Sequence, residues 1–352
     1  MSTWSQVVVI PGNQHCDVRN VHWLEPEASS KGETSGNVLY FRNKAGKEKK
    51  RRLVTTGLNG QAIEWSLKSL APKARLNVNS AIWDSKMLGK FIYVAQEDGS
   101  IKVLKVKKTK IELVRSLPKV DSRCLSLAIE GADDKQPTKS LFAGYADSSI
   151  RRWDLSSGSS VLHFEKLNAK KQRKQECMMW QLRLYSGDYL VSGDSQGDVC
   201  LWDARSGTLV KRVSQLKGDV LALEVCPATR SVYASGADSR VVSLQLEEET
   251  GEWVFASVCR GQSHDVKSLL LVTPKQLLSA GVTTDVCIYN LVDGRLHEQF
   301  GKDSKQQKMA PKLRHVPPFP FRQVARADSE SVCVASSRAV DVWSAATCQQ
   351  TL

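Results

Sequence analysis

The sequence predicts an all-β protein built from about seven copies of one four-stranded unit, and three observations support this. A hairpin pattern recurs along the chain. Its large apolar anchor returns at intervals of about 40–50 residues, the period of four-stranded repeat units. No long segment shows the sustained 3.6-residue apolar periodicity of a helix. We therefore expect strands throughout and almost no helix.

The clearest copy of the repeat is LVSGDSQGDVCLWD, residues 190–203. Apolar residues open its first strand, and a turn of Asp, Ser and Gly follows, because these residues accept unusual dihedrals and bond nearby amides. The second strand ends at Trp202, with Asp203 at its exit. Aligned on Trp202, the other copies cover residues 53–66, 92–105, 141–154, 232–245, 277–290 and 331–344.

Each hairpin has a flanking strand on both sides, which completes a four-stranded blade. An apolar run precedes it, such as 220–225, and a more polar run follows it, such as 208–213, as suits an edge strand. The sequence thus predicts a single WD-repeat β-propeller over residues 1–352. Structural roles are expected for two sets of residues: the tryptophan anchors Trp65, Trp153, Trp202 and Trp343, and the turn carboxylates Asp98, Asp147 and Asp238, which lie six residues before their anchors.

The sequence allows two alternatives for how the ring is completed. The run 6–10 has no hairpin of its own and could supply the outer strand of the blade at 331–344. Alternatively, the same run belongs to a preceding blade, and the chain is an arc of a larger array.

His264, in the only segment that resembles the usual Gly-His start of a repeat, is expected to be a buried hydrogen-bonding residue.

Composition limits the function classes. The chain has 352 residues, a net charge of +13 and nine cysteines without a CxxC pair. Buried, reduced thiols are expected for Cys200, Cys226, Cys287 and Cys333. Neither a signal peptide nor a run of about 18 apolar residues is present, so no membrane span is predicted.

No catalytic signature is present in the sequence. It has no GxxxxGK[ST] phosphate loop, no HExxH and no GxSxG motif. We predict a non-enzymatic protein without catalytic residues, cofactor, metal site or small-molecule substrate.

Four basic insertions stand out against the repeat, at 42–52, 105–110, 166–174 and 302–315. Such clusters bind phosphate groups by releasing counterions. Topology places 166–174 and 302–315 on one face of the ring and the other two on the opposite face, so two basic surfaces and no single groove are expected. The predicted RNA- or partner-binding residues are Lys49, Lys50, Arg51, Arg52, Lys170, Lys171, Arg173 and Lys174.

One short motif suggests a different function. Trp202, Asp203 and Arg205 form a W-D-x-R string, which is similar to the box that some WD-repeat proteins use to dock onto cullin-type ubiquitin-ligase adaptors. A substrate receptor of such a ligase is therefore one alternative, and a generic WD-repeat interaction platform is another. An arginine at a strand exit also explains the string.

A family resemblance runs through the chain in order. LVTTGLNGQAIEWSLKSL, QEDGSIKVLKVKKTKIELVRSL, KKQRKQECMMW and SGDSQGDVCLWDARSGTLVK together resemble the cirhin family, WD-repeat U-three-associated subunits of the small-subunit processome. The likeness covers most of residues 5–344. It implies that 6–10 is the last strand of the family's first blade and that 331–344 opens a second propeller. The chain would then match the N-terminal half, without the first blade core and most of the second propeller.

The resemblance also implies a function. It predicts a nuclear, nucleolar scaffold for ribosome biogenesis, acting in pre-ribosomal RNA transcription, processing and small-subunit RNA maturation. The expected partners are other WD-repeat subunits of the processome, with pre-ribosomal RNA or small nucleolar RNA as further partners through the basic loops.

Overall fold

The structure is a computed structural model. It describes residues 3–11, 18–24, 40–42, 48–50, 52–66, 69, 71–130, 140–165, 177–185, 187–247, 250–282, 286–292, 296–300, 321–326, 331–336 and 339–346. Strands are its regular elements, and no helix occurs in these ranges. The predicted all-β fold class is confirmed.

The described residues contain thirty strands. Those of the first half are β1 (Thr3–Pro11), β2 (Val18–Leu24), β3 (Tyr40–Arg42), β4 (Glu48–Lys50), β5 (Arg52–Gly57), β6 (Gln61–Ser66), β7 (Ala71–Asn77), β8 (Ile82–Leu88), β9 (Phe91–Gln96), β10 (Ile101–Val106), β11 (Ile111–Ser116), β12 (Cys124–Ile129), β13 (Ser140–Tyr145), β14 (Ser149–Asp154) and β15 (Ser159–Glu165). Those of the second half are β16 (Met179–Tyr185), β17 (Tyr189–Asp194), β18 (Val199–Asp203), β19 (Leu209–Val213), β20 (Val220–Cys226), β21 (Ser231–Gly236), β22 (Val241–Leu246), β23 (Trp253–Cys259), β24 (Val266–Thr273), β25 (Gln276–Gly281), β26 (Val286–Asn290), β27 (Leu296–Phe300), β28 (Phe321–Arg326), β29 (Ser331–Ser336) and β30 (Ala339–Ala346).

These strands form seven antiparallel four-stranded sheets and one small hairpin, β3–β4. Six sheets are built from β2-β5-β6-β7, β8–β11, β12–β15, β16–β19, β20–β23 and β24–β27. The seventh has the order β1-β30-β29-β28. Each repeat of the sequence coincides with the two middle strands of a sheet.

The sheets are arranged in a ring. The first strand of each sheet contacts the first strand of the next, from β2 through β8, β12, β16, β20 and β24 to β28, and β28 contacts β2. This radial repetition is that of a β-propeller. The sheets are called blades 1 to 7 below, with blade 1 containing β2 and blade 7 containing β28.

The ring closes through a strand from the beginning of the chain. β1 pairs antiparallel with β30, from Thr3 opposite Ala346 to Pro11 opposite Ala339. The first of the two closure alternatives is therefore the observed one. The hairpin at 331–344 was expected from the family resemblance to open a second propeller, but it lies in the blade that closes this ring.

The anchors of the repeat are buried between blades. Trp65, Leu104, Trp153, Trp202 and Tyr289 are at most 4% exposed. Phe164 packs edge-on against Trp202, with ring centroids 6.0 Å apart, in the cluster between blades 3 and 4. Burying a large aromatic side chain contributes about 1.5–3 kcal/mol, so these anchors are a main source of stability.

The predicted buried cysteines whose side chains are described are also found in the interior. Cys200, Cys226 and Cys287 are buried free thiols, as expected. Cys333 lies on β29, for which the structure describes the backbone alone.

The expectation for His264 was wrong, because this residue is exposed. It lies in the connection that precedes β24, outside the apolar contacts between blades.

Candidate functional site

Two of the predicted basic segments meet at one edge of the ring. Arg52, the last residue of the 42–52 insertion and the first of β5, donates a hydrogen bond to the carbonyl oxygen of Lys107 in the 105–110 turn. Its Nε and Nη2 also bond Glu64, at 2.7 and 2.6 Å to the two carboxylate oxygens. This bidentate pair fixes the guanidinium between blades 1 and 2.

Lysines surround this contact. The turn of blade 2 is closed by Lys107 N–H donating to Lys110 O at 2.8 Å, and Val106 N–H donates to Lys90 O at 2.8 Å. Lys105 Nζ lies 5.2 Å from the ring centroid of Phe91. We call the following residues the convergent basic surface: Arg52, Lys73, Lys90, Lys105, Lys107, Lys108 and Lys110.

Two carboxylates lie within the convergent basic surface, and both are engaged. Glu64 is buried and binds Arg52 and Lys73, the latter at 2.7 Å. Burial would raise the pKa of Glu64, but the hydrogen bonds from Arg52 and Lys73 outweigh it and hold the pKa below its usual 4.5. Glu112 pairs with Lys107 at 2.6 Å and Lys110 at 3.4 Å. Both glutamates are thus ionised at neutral pH, and positive charge remains in excess.

For the other predicted basic residues, the structure describes no side-chain contacts. Lys49 and Lys50 belong to β4, whose backbone alone is described. Arg51, Lys170, Lys171, Arg173 and Lys174 lie outside the described residues, as do the insertions 166–174 and 302–315. Arg52 is therefore the predicted residue whose side-chain contacts are known.

The W-D-x-R string forms a strand exit and a turn. Trp202 is 1% exposed, and its Nε1 donates to Ser192 Oγ at 2.9 Å. Asp203 Oδ1 accepts the amides of Arg205 and Ser206 at 2.8 and 2.7 Å. These amides lower the pKa of Asp203. The Arg205 side chain is 81% exposed and reaches Asp188 at 3.0 Å. Docking of this string to a ligase adaptor stays a prediction.

The turn carboxylates divide into two kinds. Asp98 and Asp147 accept the amides of Ser100 and Ser149, two residues on, at 3.0 Å each. Asp238 was expected to do the same.

Asp238 instead binds the Nε of Arg240 at 2.7 Å and the amide of Lys217, from the preceding connection, at 2.9 Å. Arg240 occupies the position at which the other two turns have serine, and its charged guanidinium is the stronger donor. It lowers the pKa of Asp238.

Of the three other tryptophan anchors, two have described side chains. Trp65 Nε1 donates to Thr55 Oγ1 at 2.8 Å, and Trp153 Nε1 donates to Tyr145 Oη at 3.2 Å. Both indoles therefore bond a hydroxyl of the neighbouring strand, as Trp202 does. Trp343 lies on β30, whose side chains are outside the description.

The centre of the ring contains a cavity of about 660 Å³, lined by the first strands of the blades. Asp84 joins three of these strands. Its Oδ1 accepts Asn20 Nδ2 at 2.9 Å, and its Oδ2 accepts the Leu127 amide at 2.9 Å. Lys86 Nζ is 3.0 Å from Oδ2. Because the carboxylate is satisfied from three blades, it stabilises the ring rather than offering a reactive group.

His22 lies beside this network. Its Nε2 is 2.7 Å from Ser85 Oγ, which in turn is 2.7 Å from Thr56 Oγ1. Burial and repulsion from Lys86 lower the pKa of His22 to about 4, against the attraction of Asp84. The imidazole is therefore neutral at pH 7. Across the described ranges, no group of three or more His, Cys, Asp or Glu is arranged to hold a metal ion.

Comparison with known proteins gives a consistent result. A mouse protein named U3 small nucleolar RNA-associated protein 4 homolog is 31% identical over 255 residues, which is 69% of this chain. A fission yeast protein, U3 small nucleolar RNA-associated protein 4, is 30% identical over 65% of the chain. A budding yeast protein of the same name is 22% identical over 82%. The chain is a homologue of U3 small nucleolar RNA-associated protein 4. No family model matches it.

The match covers only part of each relative. The aligned segment spans 36% of the mouse U3 small nucleolar RNA-associated protein 4 homolog and 32% of the fission yeast protein. The aligned part of the chain therefore covers about a third of the length of these relatives.

One group of residues in this homologue of U3 small nucleolar RNA-associated protein 4 was missed by sequence reasoning. Every first strand has a bulge at its second residue, and the described side chains there line the cavity: Arg19, Trp83, Leu125, Trp180, Leu221 and Lys267. The rings of Trp83 and Trp180 are 6.1 Å apart, and the Arg19 guanidinium lies 5.1 Å from the Trp83 centroid. Aligning the first strands, rather than the hairpins, would have found this set.

Among the described segments, no helix has the length and apolar character that crossing a membrane requires.

Proposed function

We propose that this chain is a non-enzymatic scaffold of ribosome biogenesis that associates with the small-subunit processome. The observation that carries the proposal is homology to proteins named U3 small nucleolar RNA-associated protein 4 in mammals and two yeasts. By their name, those relatives are associated with U3 small nucleolar RNA. A seven-bladed ring supports the proposal, because it displays many loops and turns on a rigid frame.

The proposed role is that of a platform in pre-ribosomal RNA transcription, processing and small-subunit RNA maturation. Its partners would be other WD-repeat subunits of the processome, and its location the nucleolus. The basic segments 42–52 and 166–174 are the proposed contacts with RNA or neighbouring subunits. They are insertions that the repeat does not require, and 42–52 ends in the convergent basic surface.

Depletion and tagging test this function. Cells depleted of the protein should accumulate unprocessed small-subunit precursor RNA, and re-expression of the full protein should restore processing. A tagged protein should concentrate in the nucleolus and co-precipitate U3 small nucleolar RNA. Normal processing after depletion, together with diffuse cytoplasmic signal, would favour a generic interaction platform and end the proposal.

A further inference from the structure

The convergent basic surface joins two segments that the sequence separates by some fifty residues. The Arg52–Lys107 contact brings the end of the 42–52 insertion against the turn of the next blade. Three further contacts extend the cluster, through Glu64 to Lys73, through the backbone of Lys107 to Lys110, and through Val106 to Lys90. The surface therefore spans two blades with a defined geometry.

Charge on this surface is strongly unbalanced. It carries seven cationic side chains and two carboxylates. Glu64 is 1% exposed, so it presents almost no negative charge to solvent. Lys107 and Lys110 flank Glu112 and remain 47% and 65% exposed. Lys90 and Lys108 are exposed as well. A ligand approaching this edge meets a field that attracts polyanions.

The type of side chain distinguishes between polyanions. Six of the seven cations are lysines, and lysine is depleted at the cores of protein–protein interfaces, where aromatic residues and arginine are enriched. Among the residues whose side chains the structure describes, the aromatic ring that contacts the cluster is Phe91, and Lys105 covers it. Flexible lysines around an exposed turn suit the repeated charges of a phosphate backbone, which needs no fixed complementary shape.

We propose that the convergent basic surface binds the phosphodiester backbone of RNA without reading its sequence. The inference rests on the proposed function and deepens it by naming the ligand class for one surface. Arg52 positions the Lys107 turn, and the lysines around it contact the phosphates. Affinity should consequently fall steeply with salt and depend little on base composition.

Fluorescence anisotropy with the full chain tests this proposal directly. The probes are a labelled 20-nucleotide oligouridine and a labelled 20-base-pair RNA duplex. The test variant combines Lys90→Gln, Lys105→Gln and Lys108→Gln, which leaves the ion pairs of Glu64 and Glu112 intact. The matched control combines Lys119→Gln, Lys217→Gln and Arg260→Gln, three exposed residues in connections on the opposite face.

The test variant should bind RNA about tenfold more weakly at near-physiological salt, and its slope of log affinity against log salt should be shallower by about 2. The control should stay within about twofold of wild type. Two results would overturn the proposal: equal RNA binding by wild type and test variant, or tighter binding of polyglutamate of the same charge than of either RNA. The second result would assign the surface to acidic protein segments.

Cellular behaviour separates the two proposals. If the tagged wild-type protein is absent from the nucleolus and recovers no U3 small nucleolar RNA, the proposed function fails, whatever the anisotropy shows. If it is nucleolar and the test variant binds RNA like wild type in vitro, only the assignment of this surface fails.

Discussion

The Arg52 guanidinium is held between the buried carboxylate of Glu64 and the backbone carbonyl of Lys107. One side chain thus neutralises a buried acid in blade 1 and anchors a turn of blade 2. Because a charged group that serves two blades is hard to replace, this contact is expected to matter for stability as well as for the shape of the basic surface.

Replacing Arg52 should destabilise the protein. In Arg52→Met, Glu64 keeps only Lys73 as a charged partner while it stays buried, which should cost about 2–3 kcal/mol of the free energy of unfolding. Urea denaturation followed by tryptophan fluorescence measures this cost. Arg205→Ala is the control, since its pair with Asp188 is exposed and should be worth less than about 0.5 kcal/mol. Equal effects of both substitutions would contradict the role of Arg52.

Acid should weaken the same site. The pKa of Glu64 is lower in the folded protein than in the unfolded chain, so its contribution is present above pH 4.5 and is lost as the pH falls through the folded value. Below pH 4.5, the wild type should therefore lose stability more steeply than Glu64→Gln. Denaturation midpoints measured between pH 3 and 6 would show the difference, and parallel curves would disprove it.

His22 should make the free energy of unfolding depend on pH in a second range, at milder pH. Its folded pKa of about 4 lies below the usual 6.5, so between these values the unfolded chain binds more protons, and stability rises with pH. Going from pH 7 to pH 5 should cost about 1–2 kcal/mol through this residue. His22→Gln should remove that part of the pH dependence while keeping a group that can bond Ser85. The measurement is the free energy of unfolding at both pH values, and an unchanged difference in the variant would refute the prediction.

Ser192 should be needed to satisfy the anchor of blade 4. Ser192→Ala leaves the buried Trp202 Nε1–H without its acceptor, and an unsatisfied buried donor costs about 1–3 kcal/mol. Thermal unfolding by circular dichroism should show a lower Tm. Ser206→Ala, an exposed serine in the following turn, supplies the comparison. A Tm that falls no further than in this comparison would count against the hydrogen bond.

Alanine substitutions at two glycines should distinguish the cost of backbone strain from the cost of a steric clash. Gly197 and Gly187 both have positive φ, +84° and +76°. A Cβ on Gly197 would lie 2.2 Å from the Leu216 carbonyl oxygen, whereas a Cβ on Gly187 meets nothing within 4 Å. Gly187→Ala should cost about 1 kcal/mol from its dihedral alone, and Gly197→Ala at least about 2 kcal/mol more. Chemical denaturation of the two variants would test this order, and similar costs would contradict it.

The repeat and its anchors were predictable because they depend on local pattern. Apolar alternation, a turn of Asp, Ser and Gly, and a large residue at a fixed offset define each hairpin, so Trp65, Trp153 and Trp202 could be recognised from spacing. Blade order followed from chain order, since consecutive units pack side by side.

The convergent basic surface could not be predicted from the sequence, because it depends on the angle between neighbouring blades. The sequence predicted two basic faces and no groove, but it gave no distance between Arg52 and the 105–110 turn, because that distance is set by blade packing. The exchange of partners at Asp238 depended on one residue, Arg240, at a position occupied by serine elsewhere. The bulged residues, such as Trp83 and Trp180, were missed because the alignment was centred on the hairpins.

The pairing of β1 with β30 has a consequence for synthesis on the ribosome. β1 is made before the blades of the ring, yet its partner strand ends at Ala346. At about 5–20 residues per second, β1 waits on the order of half a minute for that partner. The intermediate is a growing arc of blades with an unpaired strand at its start, and an unpaired strand invites association with other chains. Chaperone capture of nascent chains should consequently persist while the blades are being made and fall once the β29–β30 hairpin has emerged.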